Sequence, residues 1–300
     1  MPPSSKPEAE LSIDAPLVRC LLEEQCPEVA GLALVPLGEG WDNRLFRLGD
    51  TFMVRLPRRA ASASLVVNEH RWLPELALRL PLSVPAPVHL GRPGCGFPWL
   101  WSITRWLEGE SALTTPPRDP AEAAVTLQRF LTALHQAAPF DAPFNPWRSV
   151  PLVARWPLLQ QHLGQVAGLV DAAAIERLMH RAAAAPPWPG QSVWIHGDLH
   201  PGNILVDAGR VSAVIDFGDL AAGDPATDWA AAWMLPGTLD IMTRGLDPDT
   251  RLRARGWALC LGLVYLASSG DDDAMKRLGL ATIARALDDA PEDSGGRTAD

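Results

Sequence analysis

Residues 194–218 read WIHGDLHPGNILVDAGRVSAVIDFG. Ile204 and Val206, then Val211, Ala213 and Ile215, alternate with other residues on either side of Asp207-Ala208-Gly209-Arg210. The four central residues supply turn chemistry, so the pattern predicts a β-hairpin. A hairpin folds its ends together. The bend that holds Asp198 and Asn203 is therefore expected beside the end of the return strand, which carries Asp216.

An amide carbonyl and a carboxylate are hard oxygen donors that suit Mg²⁺, which keeps most of its waters and completes its shell with substrate phosphates. A third carboxylate that stays off the metal can then accept a proton. Asn203 follows Asp198 by five positions and Asp216 follows Asn203 by thirteen. A different chemistry is a transition metal chelated by His196, Asp198 and His200, since alternate residues of an extended segment face one way. That reading leaves Asn203 and Asp216 without a job, and Pro201 turns the chain just after His200.

The His-Gly-Asp at 196–198, the Asn five residues after the Asp, and the Asp216-Phe217-Gly218 triplet resemble the aminoglycoside phosphotransferase family, the small-molecule branch of the protein-kinase-like fold. The resemblance implies a bilobal α+β fold, with a five-stranded antiparallel N-terminal lobe over residues 1–106 and a mostly helical C-terminal lobe over 107–290. It implies that Asp198 orients and deprotonates a substrate hydroxyl, while Asn203 and Asp216 hold Mg²⁺ on the phosphates of ATP or GTP. The core sequence and the Val54-Arg55-Leu56-Pro57-Arg58 segment resemble antibiotic kinases most, those acting on aminoglycosides or macrolides. Metabolic kinases for homoserine, choline, methylthioribose or fructosamines share the chemistry, and a non-catalytic nucleotide-binding pseudokinase is a further alternative. Protein kinase activity is disfavoured because Leu199-His200-Pro201-Gly202 lacks the usual lysine after the catalytic aspartate.

Upstream, three strands are expected at 32–37, 45–48 and 52–56, with Gly38-Glu39-Gly40 in the first turn. Exposed amides at Gly38 and Gly40 would approach phosphate, since only small residues permit that approach. Arg55, in the third strand, stands where the kinase pattern wants a lysine; a guanidinium forks onto two phosphate oxygens, so the role survives. Arg58 and Arg59 read as surface charges. Glu69, on a helix over 61–80, matches the carboxylate that holds the phosphate-binding cation, with Glu75 as a competing candidate. Two more strands, at 85–90 and 98–107, end in Trp106-Leu107-Glu108-Gly109, where the resemblance places the hinge that meets the nucleotide base. Trp99 and Trp101 alternate with that strand as core or cleft residues.

Downstream of the hinge, helices are expected over 120–138 and 147–185, the second broken near Gly164–Gly168; this region helps shape the acceptor pocket in the family, although no residue in it is assigned. Gly223-Asp224-Pro225 signals a helix start. Asp228 on that helix matches the aspartate that steadies the catalytic loop through its backbone amides, and His196 supports the loop from within. Further helices are expected over 248–268 and 272–288.

Composition agrees with a globular chain: 47% hydrophobic and 20% charged residues over 300 positions. A net charge of −9 argues against general nucleic-acid binding. The longest apolar run, 257–267, is far short of a membrane span, and no basic-then-apolar leader follows Met1. Cys20, Cys26, Cys95 and Cys260 show no metal spacing and read as reduced thiols of a cytoplasmic protein. Lysine occurs only at Lys6 and Lys276, so an interior cation that grips phosphate has to be arginine. Residues 1–12 are expected to be loose and 291–300 to form a disordered tail.

Overall fold

The computed structural model of the chain describes residues 7–289. The expected tail at 291–300 and residues 1–6 of the expected loose start lie outside the described residues. Residues 10–13 are not loose. Glu10 N donates to Arg58 O at 3.0 Å, the Glu10 carboxylate accepts from Ala60 N at 3.3 Å, and Ile13 is buried.

Five antiparallel strands make the first sheet, in the order β1-β2-β3-β5-β4: β1 Leu34–Glu39, β2 Asn43–Leu48, β3 Phe52–Pro57, β4 Pro87–Gly91 and β5 Trp101–Arg105. Period-two alternation explains which way each residue faces. Phe46, Leu48, Val54, Leu56, Trp101 and Ile103 enter one apolar cluster with Val18, Leu21 and Leu22 of helix α1, Ala15–Gln25. Asp14 caps α1 by accepting from Leu17 N at 3.0 Å, and a short α2, Pro27–Ala30, follows. Trp101 is fully buried in this cluster and Trp99 packs against it, so neither lines a nucleotide cleft.

Helix α3, Ala60–Ala77, crosses from this sheet to the remainder of the chain, where Leu73 and Leu76 join the larger core. That core is helical: α4 Pro120–Leu134, α5 Trp156–Gln165, α6 Ala172–Ala184, α7 Ala226–Trp229, α8 Leu239–Met242, α9 Pro248–Ser268 and α10 Asp273–Asp288. α9 is apolar around most of its circumference and runs through the middle, as such a helix must. α10 lies against it at backbone distance, because a Cβ on Gly279 would meet Gly262 O at 2.6 Å. Small strands frame the loops between: β6 Glu110–Ser111, β7 Val193–Ile195, the hairpin β8 Ile204–Asp207 and β9 Arg210–Val214, and β10 Ala221–Gly223. The hairpin closes as its sequence predicts, with Ala208 and Gly209 both at positive φ (49° and 83°), the signature of a type I′ turn.

The expectation of four reduced thiols is corrected. Cys20 on α1 is disulfide-bonded to Cys95 in the β4–β5 turn, with Cα atoms 6.2 Å apart, while Cys26 and Cys260 are free and buried. The partners are 75 residues apart, so no local spacing could signal the pair. Packing of α1 on the turn makes it, and Gln25 holds the same contact through Arg92 N at 2.7 Å and Arg92 O at 2.9 Å. The cytoplasmic expectation loses the support it drew from the cysteines. Thiol titration of the denatured, unreduced chain is expected to find two thiols rather than four. Cys95→Ser should lower unfolding free energy by about 2–4 kcal/mol in urea melts, the usual contribution of a bridge across a long loop.

Candidate active site

The catalytic-type loop is held from below by one carboxylate. Asp228, 1% exposed, accepts from His196 N and Gly197 N, each at 2.8 Å, and meets His135 Nε2 at 3.0 Å. Asp224 caps the start of α7 by accepting from Ala226 N at 3.0 Å, which sets where Asp228 falls. Gly197 has φ +85°, and a Cβ there would lie 2.7 Å from Asp219 O, so glycine is required. His196 Nδ1 accepts from Asp198 N at 3.2 Å, so its proton sits on Nε2 and is donated to Ile215 O at 3.0 Å. His200 Nδ1 accepts from Gly202 N at 2.9 Å, and its Nε2 faces Asp198 Oδ2 at 3.5 Å. With these nitrogens committed, the alternative chelating trio of His196, Asp198 and His200 does not form.

Asn203 and Asp216 meet as the hairpin predicts. Ile215 N donates to Asn203 O at 2.9 Å, placing Asp216 beside Asn203. Asn203 donates through Nδ2 to Asp198 O at 2.9 Å, a bond that does not use its carbonyl Oδ1. Asp216 is exposed and left-handed, φ +62° and ψ +70°, a conformation that costs a non-glycine residue about 1–3 kcal/mol and collects at functional sites. One amide oxygen and one carboxylate fit a Mg²⁺ ion that draws its other ligands from water and phosphate.

Asp198 carries partners that the sequence did not reveal. Arg148 Nη2 and the Tyr265 hydroxyl donate to its Oδ1 at 3.2 and 3.1 Å. Burial works to raise its pKa, but His200, Arg148 and His196 together outweigh burial and hold the carboxyl well below the usual range. Arg148 Nε also donates to Asp219 Oδ2 at 3.1 Å, and Asn145 Nδ2 to Asp219 Oδ1 at 2.8 Å. Burial, and then Asp198, raise the pKa of the Tyr265 phenol, so it stays a donor. Two signals were present: Tyr265 is the only tyrosine, set in an apolar helix where its hydroxyl needs a partner, and Asp219 is a carboxylate three positions past Asp216. Nothing in the sequence marked Arg148 or Asn145.

Above the loop, Arg55 is buried and forked onto Glu69, Nη1 to Oε2 and Nη2 to Oε1, the second at 3.0 Å. Burial opposes its charge, but Glu69 more than restores it, with Asp216 adding to the effect. Glu75 is exposed and takes no part. The glycine turn differs from expectation in one respect: Gly40 N donates to Asn43 O at 2.8 Å and is spent inside the turn. Gly38, φ +135°, has open space where a Cβ would be. Arg58 is not a surface charge; it is buried, pairs with Glu39 at 2.9 Å, and donates to Gly40 O and Trp41 O at 3.3 Å. Arg59 likewise holds Asp42 at 3.2 Å. Trp106 is half-buried under the Arg47 guanidinium, 4.1 Å from its ring centre, and its backbone N donates to Thr51 O at 2.7 Å.

A cleft of about 870 Å³ is lined by Asp42, Asp198 and Asp216 together with Phe144, Trp147, Leu158 and Met275; Arg55, Glu69, Gly38, Gly40, Asn203 and Trp106 are not part of that lining. Because both members of the Arg55–Glu69 pair are buried, Glu69→Leu should cost about 3–5 kcal/mol in denaturant unfolding, whereas Arg55→Met with Glu69→Leu should restore most of that loss.

Residues 33–258 match the model of the phosphotransferase enzyme family. An aminoglycoside 3'-phosphotransferase of Salmonella typhimurium is 28% identical over 145 residues, 44% of this chain and 51% of the relative's length. A Bacillus subtilis protein, YcbJ, is 51% identical over 43 residues, 14% of each chain. The matches thus span about half the length of the former and a small part of the latter. Among solved structures, the GDP complex of wild-type aminoglycoside 2'-phosphotransferase-IIIa superposes with a TM-score of 0.66 at 21% identity, covering 89% of this chain and 96% of that one. Macrolide 2'-phosphotransferase MphH of Brachybacterium faecium gives 0.55 at 23% identity, covering 90% and 99%. At such identities the superpositions show the kinase-like fold. The family match covers most of the chain, and the chain belongs to the phosphotransferase enzyme family that it describes.

Proposed function

We propose that this protein moves the γ-phosphoryl group of ATP or GTP to a hydroxyl of a small molecule. The observation that carries the reading is the convergence of Asp198, Asn203 and Asp216 through the Ile215–Asn203 and Asn203–Asp198 hydrogen bonds. Asn203 and Asp216 would hold Mg²⁺, which when bound neutralises phosphate charge. Arg55, kept charged by Glu69, braces the phosphates from the sheet. Gly38 lets the turn approach them, and the hinge at Trp106 borders the base.

Asp198 receives the acceptor hydroxyl. Its depressed pKa makes it ionised at neutral pH and a modest base, so its contribution is to orient the hydroxyl and take the proton late. That suits phosphoryl transfer, where a loose transition state asks for positioning and charge neutralisation more than for strong deprotonation. A pseudokinase role is disfavoured because the proposed base and both proposed metal ligands are in place.

The relatives point to an antibiotic acceptor, aminoglycoside or macrolide. A polycationic aminoglycoside needs several carboxylates around it. Beyond Asp198 the cleft offers Phe144, Trp147, Leu158, Val264 and Met275, with Asp219 already paired to Arg148 and Asp272 engaged in capping α10. This lining supports an acceptor with an apolar body, as macrolides have, over a polycation. Metabolic hydroxy compounds share the chemistry and are separated by an acceptor panel.

Nucleotide consumption with Mg²⁺, measured with ATP and GTP against aminoglycosides, macrolides and small amino alcohols, tests the reading. Asp198→Asn is expected to abolish turnover and spare nucleotide affinity; near-normal turnover would sink the assignment. Asp216→Ala should remove both turnover and the metal dependence of nucleotide binding. The pH profile gives an independent check. Asp198 works ionised, so activity is present above its pKa and lost as pH falls through it. Arg148→Gln removes one of the charges that hold this pKa down, and the acid limb of kcat/KM should move to higher pH.

A further inference from the structure

One cation in the cleft has no part in the phosphoryl chemistry. Arg155 ends the 3₁₀ turn Leu152–Arg155, is 5% exposed, and lines the same cleft as Asp198. The other buried arginines each face a carboxylate: Arg55 has Glu69, Arg58 has Glu39, Arg253 has Asp224 and Arg255 has Asp289. Arg155 has none within ion-pair distance among the described residues, and its buried Nε lacks a hydrogen-bond acceptor. Its guanidinium sits 5.2 Å from the Trp147 ring centre and against the Cys260 thiol. Burial pushes that thiol up to about 11, so it stays neutral and supplies no counter-charge.

The surroundings give no other compensation. Arg148 is already shared between Asp198 and Asp219, and burial together with Arg155 itself lowers the pKa of His162, which keeps that ring neutral. A guanidinium cannot shed its charge as a lysine or histidine can, and leaving it buried and unpaired costs several kcal/mol. The fork of N–H donors matches a carboxylate. Exposed Phe144 and Trp147, with Leu158 and Met275, supply apolar surface in the cleft that Arg155 shares with Asp198.

We propose that Arg155 is the anion-recognising end of the acceptor pocket, so that the acceptor joins a carboxylate at Arg155 to an apolar body and to the hydroxyl received by Asp198. The placement of the hydroxyl rests on the phosphotransferase reading, and the carboxylate subsite rests on Arg155. Such an acceptor shares the apolar body of a macrolide and adds a negative charge. A polycation would meet an uncompensated like charge instead.

Calorimetric titration of the full chain with 3-(4-hydroxyphenyl)propionate, with its neutral amide and with kanamycin tests this. The carboxylate is expected to bind at least about tenfold more tightly than the amide. Arg155→Gln should erase that difference, Arg155→Lys should keep most of it, and Arg155→Glu should favour kanamycin. Because Arg155→Gln also removes an unpaired buried charge, its thermal midpoint should equal or exceed that of the wild type, whereas a purely structural arginine would leave the variant less stable. Equal affinity for acid and amide, no binding of the acid, or an undiminished preference in Arg155→Gln would overturn the proposal. Failure of the phosphotransferase reading shows separately, as a wild-type chain that binds no Mg²⁺-nucleotide while its preference for the acid persists.

Discussion

The Asp228 carboxylate, locked onto the amides of His196 and Gly197, is the contact on which the site depends. A loop that must aim an aspartate, an asparagine and a second aspartate at one small volume has few backbone hydrogen bonds of its own. Two buried amides closed on one buried carboxylate fix its entry, and His196 then fixes its exit by reaching from Asp198 N to Ile215 O. The loop is thus tied to the helix beneath it and to the hairpin beside it. Each tie uses a charged or polar group that would be costly to leave unpaired, so the arrangement is effectively all or none.

What the sequence disclosed follows the range of the interactions involved. The hairpin and the approach of the Asp198–Asn203 bend to Asp216 are local, set by period-two patterning and turn chemistry within 25 residues, and they stand as read, while the type I′ geometry of the turn came from the structure. The five-stranded sheet also stands, and so does the Arg55–Glu69 pair, which the family resemblance implied and which no periodicity would have chosen over Glu75. The Cys20–Cys95 link, the Arg148–Asp219 bridge and the burial of Arg58 join elements far apart in sequence or depend on which face packs, and no periodicity encodes them. The glycine turn lies between: its residues were visible, but the closure of Gly40 N on Asn43 O was not.

Electrostatics divides the cleft into two unlike halves. One part of the lining carries the carboxylates Asp42, Asp216 and Asp198, of which Asp42 is held by Arg59 and Asp198 by Arg148 and Tyr265. Elsewhere the lining carries Arg155, Trp147 and Phe144. Residues 143–148, 155 and 158 of the lining lie on the stretch with no fixed motif, and the rest of that wall comes from 264–275.

Helix α9 belongs to both the core and the site: Trp257, Leu259, Cys260 and Leu263 are packed inside, while Val264 and Tyr265 line the cleft. Its close seat against α10 at Gly262 and Gly279 leaves little freedom to shift or resize it. Changes of substrate range that pass through α9 would therefore damage folding at the same time. Diversification is channelled toward the exposed wall carrying Phe144 and Trp147, where side chains can be exchanged with little effect on the core, so that wall is the evolvable face of the enzyme and α9 its frozen one.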